Sequence, residues 1–235
     1  MKQILNEWRK YLQEEEKQKI NIFLDMDGVL VDFPSALREH IKNIYTMAPE
    51  EVHPSSKSSR AVLRKLQSMD LSPEEVEELY DRSEYKFQSG EDYQPDEKVM
   101  SNYVFKALIG NKELWLGMNK LEGADALVAI VFDVADEVFV LTAQVDKTSE
   151  EAKKEWIGAH FPQIKAANIN VNRDKGARLR ELISLGVVGE DDLNILIDDR
   201  KPFLESFIGA GGTGIQYNFE SPGTTFAELE VLTAQ

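Results

Sequence analysis

Two carboxylates, Asp25 and Asp27, stand directly behind the apolar run Ile20-Asn21-Ile22-Phe23-Leu24. One carboxylate can attack as a nucleophile, and a second beside it can give and take the proton. Asp25 reads as the nucleophile and Asp27 as the proton donor and acceptor. Gly28 follows at once and lets the backbone turn sharply behind them. Three further apolar runs also end in polar residues. Thr142 follows Glu137-Val138-Phe139-Val140-Leu141, Arg173 and Lys175 follow Ala167 to Val171, and Asp198 and Asp199 follow Asn194 to Ile197. Gathered in one pocket, these would be four carboxylates, one hydroxyl and two cations. Clustered carboxylates repel unless a cation sits among them, and an all-oxygen set suits Mg²⁺. Mg²⁺ beside a lysine is equipment for neutralising a phosphoryl group in flight.

Each residue alone has a plainer reading. Asp198 and Asp199 could cap a helix ahead of Pro202. Lys175 could be a surface lysine. Thr142 could simply end its strand. A calcium loop at Asp25 fails, because no ligands continue after Gly28. What promotes these residues is their common place, since the C-terminal ends of parallel strands lie on one sheet edge, where ligands bind.

A shared edge of this kind requires a parallel sheet. The run at 20–24 is rich in β-branched and aromatic residues and reads as a buried strand. Pro34 opens a helix to about Ile44, and 46–59 read as a loop. Helical segments follow at about 58–69, 72–82 and 96–110, with Ser72-Pro73-Glu74-Glu75 as a capping box. The charged stretch 81–95 reads as a loop between the last two. No strand pattern appears between Phe33 and Trp115. Beyond it, helix and strand alternate. An apolar helix covers Gly123–Val134 and a strand 137–141. A helix capped by Thr148 and Glu151 runs through Trp156 to about His160. Strands follow at 167–171, 194–197 and 215–217, with helices at about 176–185 and 202–208. Such alternation implies a parallel sheet with right-handed crossovers. The expected fold is α/β, a Rossmann-like sheet flanked by helices and interrupted by an all-helical insertion. Trp156 reads as core, and the glycine-rich 209–214 as a turn.

Residues 1–19 read as an amphipathic helix, with Ile4, Leu5, Trp8, Tyr11 and Leu12 on one face. It would dock on the body or serve as a partner tag. The expected division is therefore 1–19, an N-terminal helix; 20–33 and 114–235, a catalytic core; and 34–113, a helical cap.

Composition narrows the function. The 235 residues are 42% hydrophobic, enough for a large core. There are no cysteines, which excludes disulfides, thiol catalysis and thiolate-bound zinc. His40, His53 and His160 show no metal-ligand spacing. A net charge of −15 disfavours long nucleic acid as a partner. No apolar run approaches membrane length and no signal core opens the chain, so a cytoplasmic protein is expected. The opening MKQILNEWRKYLQEEE is similar to leaders of phage-encoded proteins, which would place it in a host cytoplasm. The expected partner is a small phosphorylated substrate, a mononucleotide, and a homodimer is allowed.

The order DMDGVLVDF, VFVLTA, NRDK and LIDDR resembles the four motifs of haloacid dehalogenase (HAD) phosphatases. More narrowly it resembles the 5′(3′)-deoxyribonucleotidases, on DGVLVDF, ELW, AKKEWIGAHF, RDK and IDDR. The likeness covers about Ile20–Phe33 and Leu114–Tyr217. It implies the HAD fold and a Mg²⁺-dependent phosphatase acting through a phosphoaspartate on a deoxynucleoside 5′-monophosphate. It implies Asp25 as nucleophile and Asp27 as acid and base. Mg²⁺ would sit on Asp25, the Asp27 carbonyl and Asp198, with Asp199 behind them. Thr142 and Lys175 would hold the phosphate, Phe33 and Trp115 would line the base, and Arg173 would orient the substrate. Phe33 and Trp115 could equally be core aromatics. Three features depart from the family: a longer insertion, Ala143 in the substrate pocket where a serine is common, and an extra stretch at about Leu185–Asp192.

Two rival substrates and one rival role remain. IDDR and the helix after it also resemble the 3′-phosphatase domain of phage polynucleotide kinases, but a polynucleotide end wants an open basic groove. A sugar phosphate is the second. A HAD-like body used only for binding is the third, although such modules tend to lose the nucleophile, the lysine or the metal carboxylates.

Overall fold

The computed structural model describes residues 18–52, 56–89, 91–219 and 221–234. Five strands form one sheet: β1 (Ile20–Leu24), β2 (Glu137–Thr142), β3 (Ile169–Val171), β4 (Leu193–Asp198) and β5 (Thr213–Gln216). Their order is β3-β2-β1-β4-β5 and every pairing is parallel. The chain therefore builds outward from β1 through β2 and β3, then returns to the other side of β1 for β4 and β5. The crevice between β1 and β4 is the topological switch point of the sheet, where open α/β folds place ligands. Leu24 lies level with Val140 of β2 and Ile197 of β4. Asp25 thus emerges beside the end of β4, and its N–H donates to the Ile197 carbonyl at 2.9 Å.

Strand side chains alternate between two covered faces, which is why these strands read as continuous apolar runs. Ile22, Leu24, Val138, Val140, Ile195 and Ile197 face one core; Phe23, Phe139, Leu141 and Leu196 face the other. The first core is completed by α7 (Ala124–Val134), α8 (Lys147–His160) and α11 (Pro222–Thr233), through Leu127, Trp156 and Leu229. The second is closed by α9 (Lys175–Ser184) and α10 (Lys201–Ile208), through Leu179, Leu182, Leu204 and Phe207. Phe23 stacks on Phe139, with ring centroids 4.7 Å apart, and meets Phe207 edge-on at 5.3 Å.

Among the described residues, six helices lie between β1 and α7: α1 (Phe33–Tyr45), α2 (Pro49–Val52), α3 (Lys57–Gln67), α4 (Pro73–Ser89), α5 (Pro95–Leu108) and α6 (Lys112–Leu116). The chain enters and leaves this helical segment through adjacent strands of backbone. Leu121 N–H donates to Leu30 and Asp32 N–H to Asn119. Asp32 then caps α1 by accepting from Ser35 N–H, with Pro34 in the first turn. Ion pairs Arg38–Asp81 and Lys42–Glu77 tie α1 to α4.

The structure corrects several sequence expectations. The stretch 81–95 is mostly helix, because α4 runs on to Ser89. The supposed loop at 46–59 holds the short α2. Helix α8 is capped by Asp146, whose carboxylate accepts from Ser149 N–H at 2.8 Å, not by Thr148. Strand β3 starts only at Ile169, after a 3-10 turn over Ala166–Asn168. Strand β5 starts earlier than expected, inside the glycine-rich run, and α11 had no sequence expectation at all. The Ser72 box forms as read, with Glu75 N–H donating to Ser72 and Ser72 N–H to Glu75. Trp156 is buried and donates Nε1–H to the Met118 carbonyl at 2.9 Å. The expected helix over 1–19 lies, apart from Gln18 and Lys19, outside the described residues; those two are in no helix. Asp192, from the extra stretch, accepts from Asn21 and from Gly189 N–H, bracing the start of β1. Among the described residues no helix is long and apolar enough to cross a membrane.

Close packing between α9 and α10 sets the position of Lys175. A Cβ on the adjacent Gly176 would overlap the Ser206 carbonyl oxygen. Gly176→Ala should therefore destabilise the protein by about 1–3 kcal/mol, read as a lowered midpoint in chemical denaturation. An unchanged midpoint would contradict this packing.

Candidate active site

The loop after β1 is shaped by Gly28. Its φ of +80° is one that a side chain resists, and a Cβ there would lie 2.5 Å from Asp199 Oδ2. The loop closes on itself through Gly28 N–H to the Val31 carbonyl and three N–H groups donated to Met26. It thereby holds Asp25 and Asp27 on the same edge as the ends of β2, β3 and β4.

Lys175 is fully buried at the start of α9, where Asp174 caps the helix. Its Nζ pairs with Asp198 Oδ2 and lies 2.9 Å from Asp25 Oδ1. Burial works against its charge, but Asp25 and Asp198 outweigh burial and hold its pKa above the ordinary lysine value. Asp198 accepts Arg200 N–H on its other oxygen at 2.8 Å. Burial, then the neighbouring Asp25 charge, push the Asp198 carboxyl up to about 6 against the pull of Lys175. The same two causes, with Asp198 added, raise Asp199 well above the carboxylate range.

A second buried lysine, Lys153 on α8, sits on the other flank. Its Nζ donates to Asp27 Oδ2 at 2.5 Å, Thr142 Oγ1 at 3.1 Å and the Ala143 carbonyl at 2.7 Å. It also lies 4.6 Å from the Trp115 ring centre. Asp27 keeps 26% of its side chain exposed, yet its Oδ1 is buried without a partner. Burial, opposed by Lys153 and reinforced by Asp25, raises its pKa. A carboxyl with one oxygen anchored and one free, biased toward the protonated form, is suited to proton transfer.

Asp25, Asp198 and Asp199 each bring a carboxylate oxygen within 4.8 Å of the others. Asp199 Oδ1 is buried with no hydrogen-bond partner. An orphaned buried oxygen amid raised carboxyls fits a hard divalent cation, which would relieve both the repulsion and the unmet acceptor. Asp199 stands in this cluster itself, not behind it.

A cavity of about 330 Å³ opens beside these groups, of the size that holds a small ligand. Asp27, Gly28, Phe33, Trp115, Ala143, Arg173 and Asp199 all line it. Phe33 and Trp115 stack with centroids 5.5 Å apart, so the two aromatics form one wall. Arg173 donates to the Gln144 and Val145 carbonyls and lies over Phe105, 5.9 Å from its ring centre. Thr142, Lys175, Asp25 and Asp198 are buried and do not line the cavity, but Lys153 joins Thr142 to Asp27 and Lys175 joins Asp25 to Asp198. All ten residues singled out from the sequence thus lie in or against one place. Sequence reasoning gave no role to Lys153, Arg200 or Phe203. Lys153 did leave a signal. Ser149, Ala152, Lys153, Trp156 and Ile157 are the buried face of α8. A lysine on such a face demands a buried partner.

No family model matches the chain, and no curated protein matches it. Solved structures do. A haloacid dehalogenase-like family hydrolase from Xanthomonas campestris aligns with a TM-score of 0.50 at 16% identity, covering 94% of this chain and 95% of its own. A protein described as a phosphoglycolate phosphatase from Lactobacillus delbrueckii subsp. bulgaricus aligns with a TM-score of 0.55 at 16% identity, covering 93% of this chain and 100% of its own. The fold is that of the HAD-like hydrolases.

A divalent cation needs its carboxylates deprotonated, while Asp198 and Asp199 hold protons at higher pH than ordinary acids. Mg²⁺ binding should therefore release protons and tighten as pH rises from 6 to 8. Calorimetry in buffers of different ionisation enthalpy reads both effects, and Asp199→Asn should weaken binding at least tenfold. Equal affinity at both pH values, or in the variant, would contradict the cation reading.

Proposed function

We propose that the protein is a Mg²⁺-dependent phosphomonoesterase that forms a phosphoaspartate on Asp25 and acts on a small nucleotide, a deoxynucleoside 5′-monophosphate. The observation that carries the reading is the convergence of Asp25, Asp27, Thr142, Lys175 and Asp198 from four strand ends on one edge of the sheet. The aromatic wall of Phe33 and Trp115 in a largely apolar cavity supports a planar base over a sugar phosphate. The helices between β1 and α7 act as a cap, since α4 and α5 line the same cavity and would shield it from water.

In this reading an Asp25 carboxylate oxygen attacks phosphorus and the bond to the leaving oxygen breaks. Asp27 delivers its proton to that oxygen as it departs. Asp27 then takes a proton from a water molecule. That water attacks the phosphorus of the phosphoaspartate and frees Asp25. Lys175 brings positive charge behind the transferring group through its pair with Asp25, and the Thr142 hydroxyl holds Lys153 beside Asp27. Lys153 positions Asp27 through its anchored oxygen, leaving the other for the substrate. Mg²⁺, held by Asp25, Asp198 and Asp199, would supply Lewis-acid neutralisation of the phosphoryl oxygens.

Phosphate release from a panel of phosphomonoesters, with and without Mg²⁺, tests this. The expected result is Mg²⁺-dependent hydrolysis of deoxynucleoside 5′-monophosphates, faster than that of glucose 6-phosphate or a 3′-phosphorylated oligonucleotide. Release from sugar phosphates alone would overturn the nucleotide substrate, and release from none would overturn the enzyme. Lys153→Met should lower kcat about 100-fold while circular dichroism reports a folded protein; full activity would remove Lys153 from the positioning of Asp27.

A further inference from the structure

The loop after β2 carries three successive carbonyls that each meet a cation. Ala143 accepts from Lys153 Nζ at 2.7 Å, Gln144 from Arg173 Nε at 2.8 Å, and Val145 from a terminal N–H of Arg173 at 3.1 Å. Two elements supply the cations: Lys153 stands on α8, and Arg173 follows β3. Ala143, Gln144, Val145 and Arg173 all line the cavity. Helix α8 also grips the far end of the loop. Ser149 Oγ accepts the N–H groups of Val145 at 2.9 Å and Asp146 at 3.0 Å.

An ammonium has three donors, and those of Lys153 meet Asp27 Oδ2, Thr142 Oγ1 and the Ala143 carbonyl. Where Lys153 stands, and so where it holds Asp27, depends on the direction of that carbonyl. The next two peptide units are the ones that Arg173 fixes, with two nitrogens of one rigid planar fork. Without the fork, the Gln144 and Val145 carbonyls are free to turn to water, and the Ala143 carbonyl to turn with them. The Phe105 ring on α5, 5.9 Å from the guanidinium carbon, backs the fork. Arg173 is itself exposed, so truncating it opens no hole in the core.

We propose that Arg173 is a positioning residue for proton transfer: it holds the Gln144 and Val145 carbonyls, which keeps the Ala143 carbonyl on Lys153 and Lys153 on Asp27. This rests on the phosphomonoesterase reading above. It gives Arg173 a task that needs no contact with the substrate.

Positioning and substrate orientation part at the leaving group. A departing alkoxide needs the proton of Asp27, whereas p-nitrophenolate leaves readily without it. The test compares kcat/KM for p-nitrobenzyl phosphate and p-nitrophenyl phosphate, which are alike in shape, with Mg²⁺. This constant reports the steps up to the phosphoaspartate, before water attacks. Wild type runs beside Arg173→Ala, Arg173→Lys and, as reference, Asp27→Asn. The ratio of the benzyl to the phenyl ester should fall about tenfold in both Arg173 variants and about a hundredfold in Asp27→Asn. Lysine keeps the charge but not the fork, so it should not restore the ratio. Ratios within one protein cancel any loss of folded enzyme. An unchanged ratio in Arg173→Ala, or one that lysine restores, would overturn the positioning role. If Asp27→Asn shifts the ratio and the Arg173 variants do not, Arg173 alone is wrong. If Asp27→Asn slows both esters alike, the acid role of Asp27 falls; if the wild type hydrolyses neither, the phosphatase reading falls. Either takes this proposal with it.

Discussion

The buried charge of Lys175 constrains everything around it. An ammonium with no solvent access survives only if anions meet it, and here Asp25 and Asp198 do so from β1 and β4. Removing one member of such a buried group typically costs about 3–5 kcal/mol, because the remaining charge is left uncompensated. The ion group therefore ties the first and fourth strands and the start of α9 to one point. Gly176 lets α9 approach α10 closely enough to put the lysine there, and Gly28 lets the loop after β1 pass against Asp199. The sheet topology makes the meeting possible, since β1 and β4 are neighbours across the switch point.

A cluster with more acids than lysines is electrostatically unfinished. Lys175 serves Asp25 and Asp198, and Lys153 serves Asp27 and Thr142, which leaves Asp199 Oδ1 without a hydrogen-bond partner at the cavity. Burial, with the charge of the neighbouring carboxylates added, raises the carboxyls there. A divalent cation and a phosphate dianion would complete it together, the cation beside the acids and the anion beside the lysines. Stability and chemistry then share one arrangement: groups that are costly to bury alone become a preorganised polar surface for a transferring phosphoryl group.

Much of this was legible in the sequence. Apolar runs that end in Asp25, Thr142, Lys175 and Asp198 exposed both the sheet and its functional edge, because parallel strands buried on both faces leave little polar camouflage. What stayed hidden depended on distance in space. Lys153 lies on a helix whose partners, Asp27 and Thr142, are 126 and 11 residues away. The C-terminal half of α4 looked like a charged loop because its buried face, Val76, Leu79 and Tyr80, passes on to Ser83 and not to another apolar residue. At α8 the cap is Asp146, paired with Ser149 two residues ahead of the Thr148 and Glu151 pattern. Helix α11 buries little beyond Thr225 and Leu229, so its pattern was faint.

The claim beneath the whole account is that Asp25 becomes covalently phosphorylated. Mixing the Mg²⁺-loaded protein with excess p-nitrophenyl phosphate, quenching in acid during turnover and mapping peptides by mass spectrometry tests it directly. The account predicts one phosphoryl group on the peptide that holds Asp25 and none in Asp25→Asn, which should also release no phosphate. Steady phosphate release by a folded Asp25→Asn protein, or turnover in the wild type that never marks Asp25, would contradict it.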